Sequence, residues 1–423
     1  MAIGAFFGLV FAQTPAVPLI FLNRRFYFRW CSFAMGYYLL MVTCLLEDLL
    51  GIKIIVTGDD LTKDKKRSLI ILNHRTRLDW MFIWMLHSRF EILEQLKICL
   101  LEDLLGIKII VTGDDLTKDK KRSLIILNHR TRLDWMFIWM LHSRFEILEQ
   151  LKIVLKAELK RIPGPGWAMQ HAAYLFLERV WEKDQTTIQN ISGYYKSCQQ
   201  PLSLLIFPEG TNLTSLSQKK SNEYASKQTS YNQAYNYCLH PRLTGFKYLL
   251  KTMREADILD TVDDITIGYE GNIPEAEIDL LKGSIPKTVH FHVKRYNIKD
   301  LPETDEEIGE WLQVCWEQKE NRLKEFYTNN QFDIQSKRFN NEQIESKMRF
   351  KRRLAFILWT LFIAFWTFCI FSFIKIKFYV LLVCLFHLIM DTFANGIIDF
   401  VCQLDANYRH HQLKQPTRAI KQD

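Results

Sequence analysis

The stretch L-N-H-R-T-R-L-D-W occurs twice, at Leu72–Trp80 and at Leu127–Trp135. Each copy carries a histidine and an aspartate five residues apart, His74 with Asp79 and His129 with Asp134. An imidazole that titrates near neutrality can take a proton from a hydroxyl, and a nearby carboxylate can fix its tautomer and stabilise the cation. Taken alone the spacing is weak, because a histidine that only caps the following helix fits it equally. A zinc site is disfavoured, since no third ligand stands nearby.

The doubling runs beyond the motif. Cys44–Ile98 is identical to Cys99–Ile153 across 55 positions. Solenoid units keep a few packing positions, vary elsewhere and usually come in three or more copies. Here there are two copies and no variation, even at lysines such as Lys63, Lys65 and Lys66, repeated as Lys118, Lys120 and Lys121. No packing demand is that strict. The repeat reads as a segmental duplication or an assembly error, not as two evolved sites, and 423 less 55 leaves a core chain of 368 residues.

Around the second copy, Ile107–Thr112 and Ser123–Leu127 are short β-branched runs that predict strands, with a turn at Gly113-Asp114-Asp115. From Leu133 to Phe145 the apolar residues Trp135, Ile138, Trp139 and Leu141 follow a helical period. The motif therefore sits where a strand runs into a helix, a position from which polar side chains reach a crevice. Downstream, Lys152–Leu155, Leu202–Phe207, Ile265–Tyr269 and Val289–Val293 predict strands; Gly164-Pro165-Gly166 breaks the chain and Ala168–Glu182 predicts a helix. Alternating strands and helices imply an α/β domain. Thr304–Phe326 predicts an exposed amphipathic helix, and Tyr327–Lys347 a linker.

At 48% hydrophobic and 13% aromatic the chain can bury a large core. Met1–Leu22 and Leu354–Ile374 carry no charge, and each is long enough to cross a bilayer, which takes about 20 residues. The first lacks the basic start and cleavage site of a secretory signal and predicts a retained membrane helix. Trp30–Leu46 is shorter and reads as the return arm of a hairpin lying in the membrane rather than a full span, and Leu354–Ile374 with Phe378–Met390 predicts a spanning or dipping helical pair. Basic flanks at Asn23-Arg24-Arg25 and Phe350–Arg353 place the intervening chain in the cytosol. The net charge of +8 fits anionic headgroups, and no nucleic-acid reader motif accompanies it. Nine cysteines without a C-x-x-C pair indicate reduced thiols. His290 and His292 share one strand face and are read as packed or exposed, not as metal ligands.

Two further motifs bear on chemistry. Phe207-Pro208-Glu209-Gly210-Thr211 follows the buried strand Leu202–Phe207 and can present N–H groups and an acceptor to a polar ligand, although an ordinary turn has the same composition. Lys156-Ala-Glu-Leu-Lys160-Arg-Ile-Pro163-Gly-Pro-Gly166 is followed by Arg179, either a fork of phosphate donors or a solvated charge.

In this order the three motifs resemble those of the glycerolipid acyltransferases that use acyl-CoA. The wording N-H-R-T-R-L-D-W, with Pro163–Gln170, His240-Pro241-Arg242 and Val289–Val293, resembles the lysocardiolipin acyltransferase branch. The resemblance covers nearly the whole chain. It implies an α/β mixed sheet with flanking helices and membrane helices at both ends. It implies that His129 takes the proton of a lysophospholipid hydroxyl attacking acyl-CoA while Asp134 orients the ring, with His74 and Asp79 as the duplicate. Asn128, Arg179, Glu209, Gly210 and Thr211 would then serve the acceptor or its loop, with no metal and no cofactor beyond acyl-CoA as co-substrate. The expected divisions are an anchor at 1–46, a displaced duplicate at 44–98, a catalytic domain at 99–270, an accessory segment at 271–347, membrane helices at 354–390 and a basic tail at 391–423. The expected setting is the endoplasmic reticulum membrane with the catalytic domain facing the cytosol. One departure is visible, because Ile265-Thr266-Ile267-Gly268-Tyr269 lacks the family's proline. The other readings are a lysophosphatidic acid acyltransferase and a lipid-binding membrane protein inactivated by the duplication.

Overall fold

A computed structural model describes residues 2–44, 54–61, 64–71, 108–116, 119–131, 134, 137–138, 141–142, 150–228, 233–273, 286–332 and 342–414. His74 and Asp79 lie outside these residues, as do parts of the expected linker and tail.

Nine strand segments make one mixed sheet: β1 (Ile54–Leu61), β2 (Asp64–Ile71), β3 (Lys108–Leu116), β4 (Asp119–Leu127), β5 (Leu151–Lys156), β6 (Leu175–Leu177), β7 (Ser203–Ile206), β8 (Thr261–Gly271) and β9 (Pro286–Asn297). Their order is β1-β3-β9-β8-β4-β2-β7-β5-β6, parallel except for the β8–β9 pair. The central strands read as continuous apolar runs because helices cover both faces. Leu124–Leu127, Leu204, Leu205, Ile265 and Ile267 are all buried.

The duplicated strands pair in parallel with their own counterparts, β1 on β3 with Ile55 opposite Ile110 and β2 on β4 with Ser68 opposite Ser123. A strand has two hydrogen-bonding edges, and β9 uses one on β8, with Ile265 opposite Val293. On the other edge Val289 is the register partner of both Ile54 and Ile109, and His290 of both Ile55 and Ile110. The second pair repeats the pattern. Ser68 is registered on Ser203 of β7, while the Ser123 N–H donates to the neighbouring Leu202 carbonyl at 3.2 Å. Identical sequences thus address the same partner strands, while β1 and β2 keep their own places in the nine-strand order.

Helices flank the sheet. In chain order they are α1 (Ala2–Gly8), α2 (Arg24–Cys44), α3 (Pro165–His171), α4 (Trp181–Cys198), α5 (Ser215–Ala225), α6 (Leu243–Glu255), α7 (Asp305–Asn329), α8 (Glu342–Ser372), α9 (Ile374–Phe393) and α10 (Ile397–Lys414). The single helix expected over Ala168–Glu182 is instead the end of α3, the edge strand β6 and a loop into α4. Ala173 takes φ +57°, which no helix continues through, and Leu175–Leu177 then pairs with β5. Gly166 in the first turn of α3 lets the backbone close on itself. A Cβ there would stand 2.3 Å from the Lys160 carbonyl oxygen and 2.4 Å from that of Leu159. Gly166→Ala is expected to lower stability by about 1–3 kcal/mol through this overpacking, read as a fall in the thermal unfolding midpoint.

The expected accessory segment 271–347 contributes to the sheet and to the helices around it. It supplies β9 to the sheet, and α7 buries one face rather than standing exposed. Thr304 caps α7 by accepting from the Glu307 N–H, and Ile308, Leu312, Trp316, Leu323 and Phe326 form its buried stripe.

Among the described residues two helical stretches are long and apolar enough to cross a membrane, Arg353–Ser372 and Ile374–Phe393. Phe365, Phe368 and Phe371 point outward at 58%, 64% and 76% exposure, a belt suited to lipid rather than water. The N-terminal segment is not one rod. After α1 it passes through a π turn at Leu9–Gln13 and a 3₁₀ turn at Thr14–Ala16, where Pro15 and then Pro18 interrupt the ladder. It packs on the C-terminal pair, with Phe11 stacked on Trp366 at 3.8 Å and the Tyr379 hydroxyl donating to the Val10 carbonyl. α3 is tied to α9 through Asp391, which accepts from Trp167 Nε1 at 2.6 Å and Gln170 Nε2 at 3.2 Å. The expected tail is largely the helix α10, latched by Asp405 to Arg24 at 3.0 Å and to Ser197 at 2.9 Å.

Candidate active site

His129 lies two residues beyond the end of β4, and Asp134 is helical. Between β4 and His129, Asn128 continues the sheet with its side chain. Its Nδ2 donates to the Ile267 carbonyl at 3.0 Å and its Oδ1 accepts the Ile267 N–H at 2.6 Å. The carboxamide thus imitates one more residue of the β4–β8 ladder, and the chain can turn out of the sheet without stranding the Ile267 backbone.

The turn holds the histidine against its partner. His129 Nδ1 and Asp134 Oδ2 are 2.6 Å apart, and the same oxygen accepts the Thr131 N–H at 2.9 Å. With Nδ1 donating, Nε2 carries the ring's acceptor lone pair. The other carboxylate oxygen, Oδ1, accepts from the Tyr269 hydroxyl. Both members of the pair are fully buried. Burial pushes the Asp134 carboxyl well above its usual range, against the opposing pull of Tyr269, backbone N–H groups and the Arg130 charge.

The second motif arrives from β7. Phe207–Gly210 forms a reverse turn closed by the Gly210 N–H on the Phe207 carbonyl at 3.0 Å. Gly210 takes φ +69°, and a Cβ on it would meet Arg242 Nε at 3.1 Å. The turn sets Phe207 against the His129 ring, with centroids 4.8 Å apart. Glu209 points inward, 2% exposed, and braces three elements. Its Oε1 accepts the His129 N–H at 3.3 Å and Trp316 Nε1 at 3.1 Å, and its Oε2 accepts the Leu239 N–H at 2.9 Å. Of the residues read from sequence as serving the acceptor, Asn128 and Glu209 therefore engage the protein's own backbone.

Arg179 is different. It takes φ +62° at the end of β6, is exposed, and donates through Nη2 to the Gly210 carbonyl at 2.9 Å. Partial desolvation lowers its pKa, and the Arg242 charge lowers it further, while Glu158 and Asp184 oppose both. Two guanidinium groups thus converge on Gly210 at the rim of the site, an arrangement an anion relieves. Thr211 sits half-buried beside them. Arg242, Tyr269 and Trp316 were not singled out as site residues by the sequence. Arg242 lay inside the His240-Pro241-Arg242 signature, and Tyr269 is the residue that ends the proline-free block.

A cavity of about 590 Å³ lies elsewhere, between α4 and α10, lined among others by Arg161, Glu178, Lys183, Asn190 and Asp399. Its lining mixes both signs of charge and excludes His129, Asp134 and Glu209.

An acyltransferase family model matches residues 108–267, and an acyltransferase C-terminus model matches 279–363. The first match takes in residues 108–153 of the second copy and leaves the first copy outside. A mouse lysocardiolipin acyltransferase 1 is 34% identical over 406 residues, 94% of this chain and 92% of the relative. A lysophosphatidylinositol acyltransferase 10 of Caenorhabditis elegans is 40% identical over 235 residues, 55% of this chain and 59% of the relative. A 1-acyl-sn-glycerol-3-phosphate acyltransferase 2 of Brassica oleracea is 35% identical over 210 residues, 49% and 52% respectively. No solved structure matches the chain significantly.

Proposed function

Because the chain belongs to the acyltransferase family, we propose that it moves a fatty acyl group from acyl-CoA to an anionic lysophospholipid of the lysocardiolipin, lysophosphatidylglycerol or lysophosphatidylinositol type. The observation that carries this reading is the buried His129–Asp134 pair at 2.6 Å, its backbone tied to the F-P-E-G-T turn through Glu209. His129 Nε2 takes the proton of the acceptor hydroxyl as its oxygen attacks the thioester carbonyl. The C–S bond breaks, the C–O ester forms, and the proton passes from the imidazolium to the CoA sulfur. Asp134 holds the tautomer and balances the imidazolium charge. The thioester is already activated, so neither a metal nor a covalent acyl-enzyme is required. Since His129 is fully buried, the acceptor must displace the cover that Phe207 contributes before its hydroxyl reaches the ring.

Arg179 and Gly210 flank the position for the acceptor phosphate, with Thr211 beside them. Asn128 and Glu209 fix the loop that carries the base. The two apolar helices and the lipid-directed relatives indicate membrane association. We place the enzyme in the endoplasmic reticulum membrane with its catalytic domain in the cytosol, where acyl-CoA is available.

The test is transfer from labelled oleoyl-CoA to a panel of lysophospholipids by membranes carrying the full chain. Incorporation into the anionic diester acceptors is expected. Preference for lysophosphatidic acid would support the second reading, which the plant relative and the Arg179–Arg242 pair favour. No transfer to any anionic lysolipid sinks both and leaves an inactive lipid-binding protein. Arg179→Ala is expected to raise the acceptor KM by roughly 10- to 100-fold, the scale of one charge-assisted hydrogen bond, with little change in kcat. An unchanged acceptor KM would remove Arg179 from the phosphate position.

A further inference from the structure

We propose that Tyr269 is a positioning residue for the general base, its hydroxyl locking the Asp134 carboxylate so that Oδ2 faces His129 Nδ1. This rests on the reading of His129 as the base. Each oxygen of Asp134 has its own work. Oδ2 serves His129 and the Thr131 N–H, and Oδ1 is held by Tyr269. A carboxylate anchored through one oxygen only can pivot about its Cβ–Cγ bond, and the second anchor removes that freedom.

The strand delivers this hydroxyl with little latitude. Ile265, Ile267 and Tyr269 alternate onto one face of β8 and are all at most 2% exposed. Tyr269 is registered on Val289 of β9, and the Phe137 ring meets it edge-on at 5.3 Å and 71°. On the opposite face Gly268 admits Phe326 of α7, whose ring would lie 2.7 Å from any Cβ placed there. The strand end is therefore clamped from both sides. A hydroxyl so deeply buried needs a partner, and Asp134 supplies it. A Phe at this position would pack as well and leave the carboxylate half-anchored.

The hydroxyl also tunes the base. Among the described residues the charged or titratable groups around the pair are Arg130 on its own loop, Tyr327 on α7 and Glu209 on the F-P-E-G-T turn. Beside them, Tyr269 is the residue whose O–H donates to Asp134. By drawing charge towards Oδ1 it weakens the hold of Oδ2 on an imidazolium. Removing it strengthens that hold, raises the histidine pKa, and moves the acidic limb of the pH–rate profile to higher pH.

The experiment compares wild type, Tyr269→Phe, Asp134→Asn and the double variant in the oleoyl-CoA assay, each with a thermal unfolding curve. Tyr269→Phe is expected to lower kcat roughly tenfold, a charge-assisted hydrogen bond's worth, with KM for both substrates unchanged and the acidic limb shifted upward. In the Asp134→Asn background the same change has no further effect on kcat, because its route is already cut. A pH profile superimposable on wild type, or kcat losses that simply multiply in the double variant, overturns the proposal. A wild-type chain inert on the whole panel instead overturns the acyltransferase reading, so the two failures are told apart.

Discussion

His129→Ala reduces acyl transfer by about 10²–10⁴-fold, the usual contribution of a positioned general base, while His74→Ala leaves transfer close to wild type. The two residues sit in identical sequence, so the contrast tests placement alone. His129 donates its N–H to Glu209 at 3.3 Å and gives its carbonyl to the Leu213 N–H at 3.2 Å, contacts that one loop at a time can make. Glu209 has two oxygens, and they are shared among His129, Trp316 and Leu239. Copy two also runs straight on into β5, which lies against β7, so its connection is short. A first copy in the seat would have to be followed by a second full repeat before β5. If His74→Ala abolishes transfer and His129→Ala does not, the assignment is reversed. Deleting residues 44–98 or 99–153 cannot discriminate, because both deletions leave the same 368 residues. That shorter chain is expected to be at least as active, since a single copy then addresses the partner edges of β9 and β7.

Much of the candidate site was legible because its parts are local. H-x4-D is five residues long, F-P-E-G-T follows a buried apolar run, and the pattern of either is unaffected by what packs on it. The strands at Ser123–Leu127, Leu202–Phe207, Ile265–Tyr269 and Val289–Val293 declared themselves by apolar runs that the sheet buries on both faces. What sequence could not place were contacts set by distant partners. Thr304–Phe326 has enough Glu and Lys to look solvated, yet Lys319 and Glu320 are themselves buried. Glu320 accepts the N–H groups of Asn236, Tyr237 and Cys238, and nothing in a helical period marks a charge as spoken for in this way. Asn128 and Glu209 carry the residue types of ligand-binding groups, and only the fold shows that Ile267 and the loop backbone already engage them. The helix expected across Ala168–Glu182 failed for a different reason. Ala-Ala-Tyr-Leu-Phe-Leu satisfies a helical pattern as well as a strand one, and the choice fell to the open edge of β5.

Lys319→Met carries the largest expected effect on stability, a loss of about 3–5 kcal/mol. Lys319 reaches from α7 into the sheet and pairs with Asp264, both side chains being wholly removed from solvent. Its Nζ also donates to the Ile126 carbonyl at 3.1 Å and the Ile265 carbonyl at 2.7 Å. Burial disfavours the charged amine and lowers its pKa, while Asp264 acts to keep it protonated. Removing the cation leaves a buried carboxylate without compensation, and that is where the cost arises. Lys319→Met combined with Asp264→Leu removes both charges, and most of the loss should return, as read from the thermal unfolding midpoint in detergent. Activity should not return in step. Ile126 and Ile265 lie directly before the places where Asn128 and Ile267 interlock, so the lysine also fixes the β4–β8 seam on which His129 is mounted. The double variant keeps its fold but loses that clamp, and its kcat is expected to stay below wild type while its stability approaches it. Equal recovery of both would mean that α7 contributes only to holding the domain together; recovery of stability alone would make it part of what aims the base.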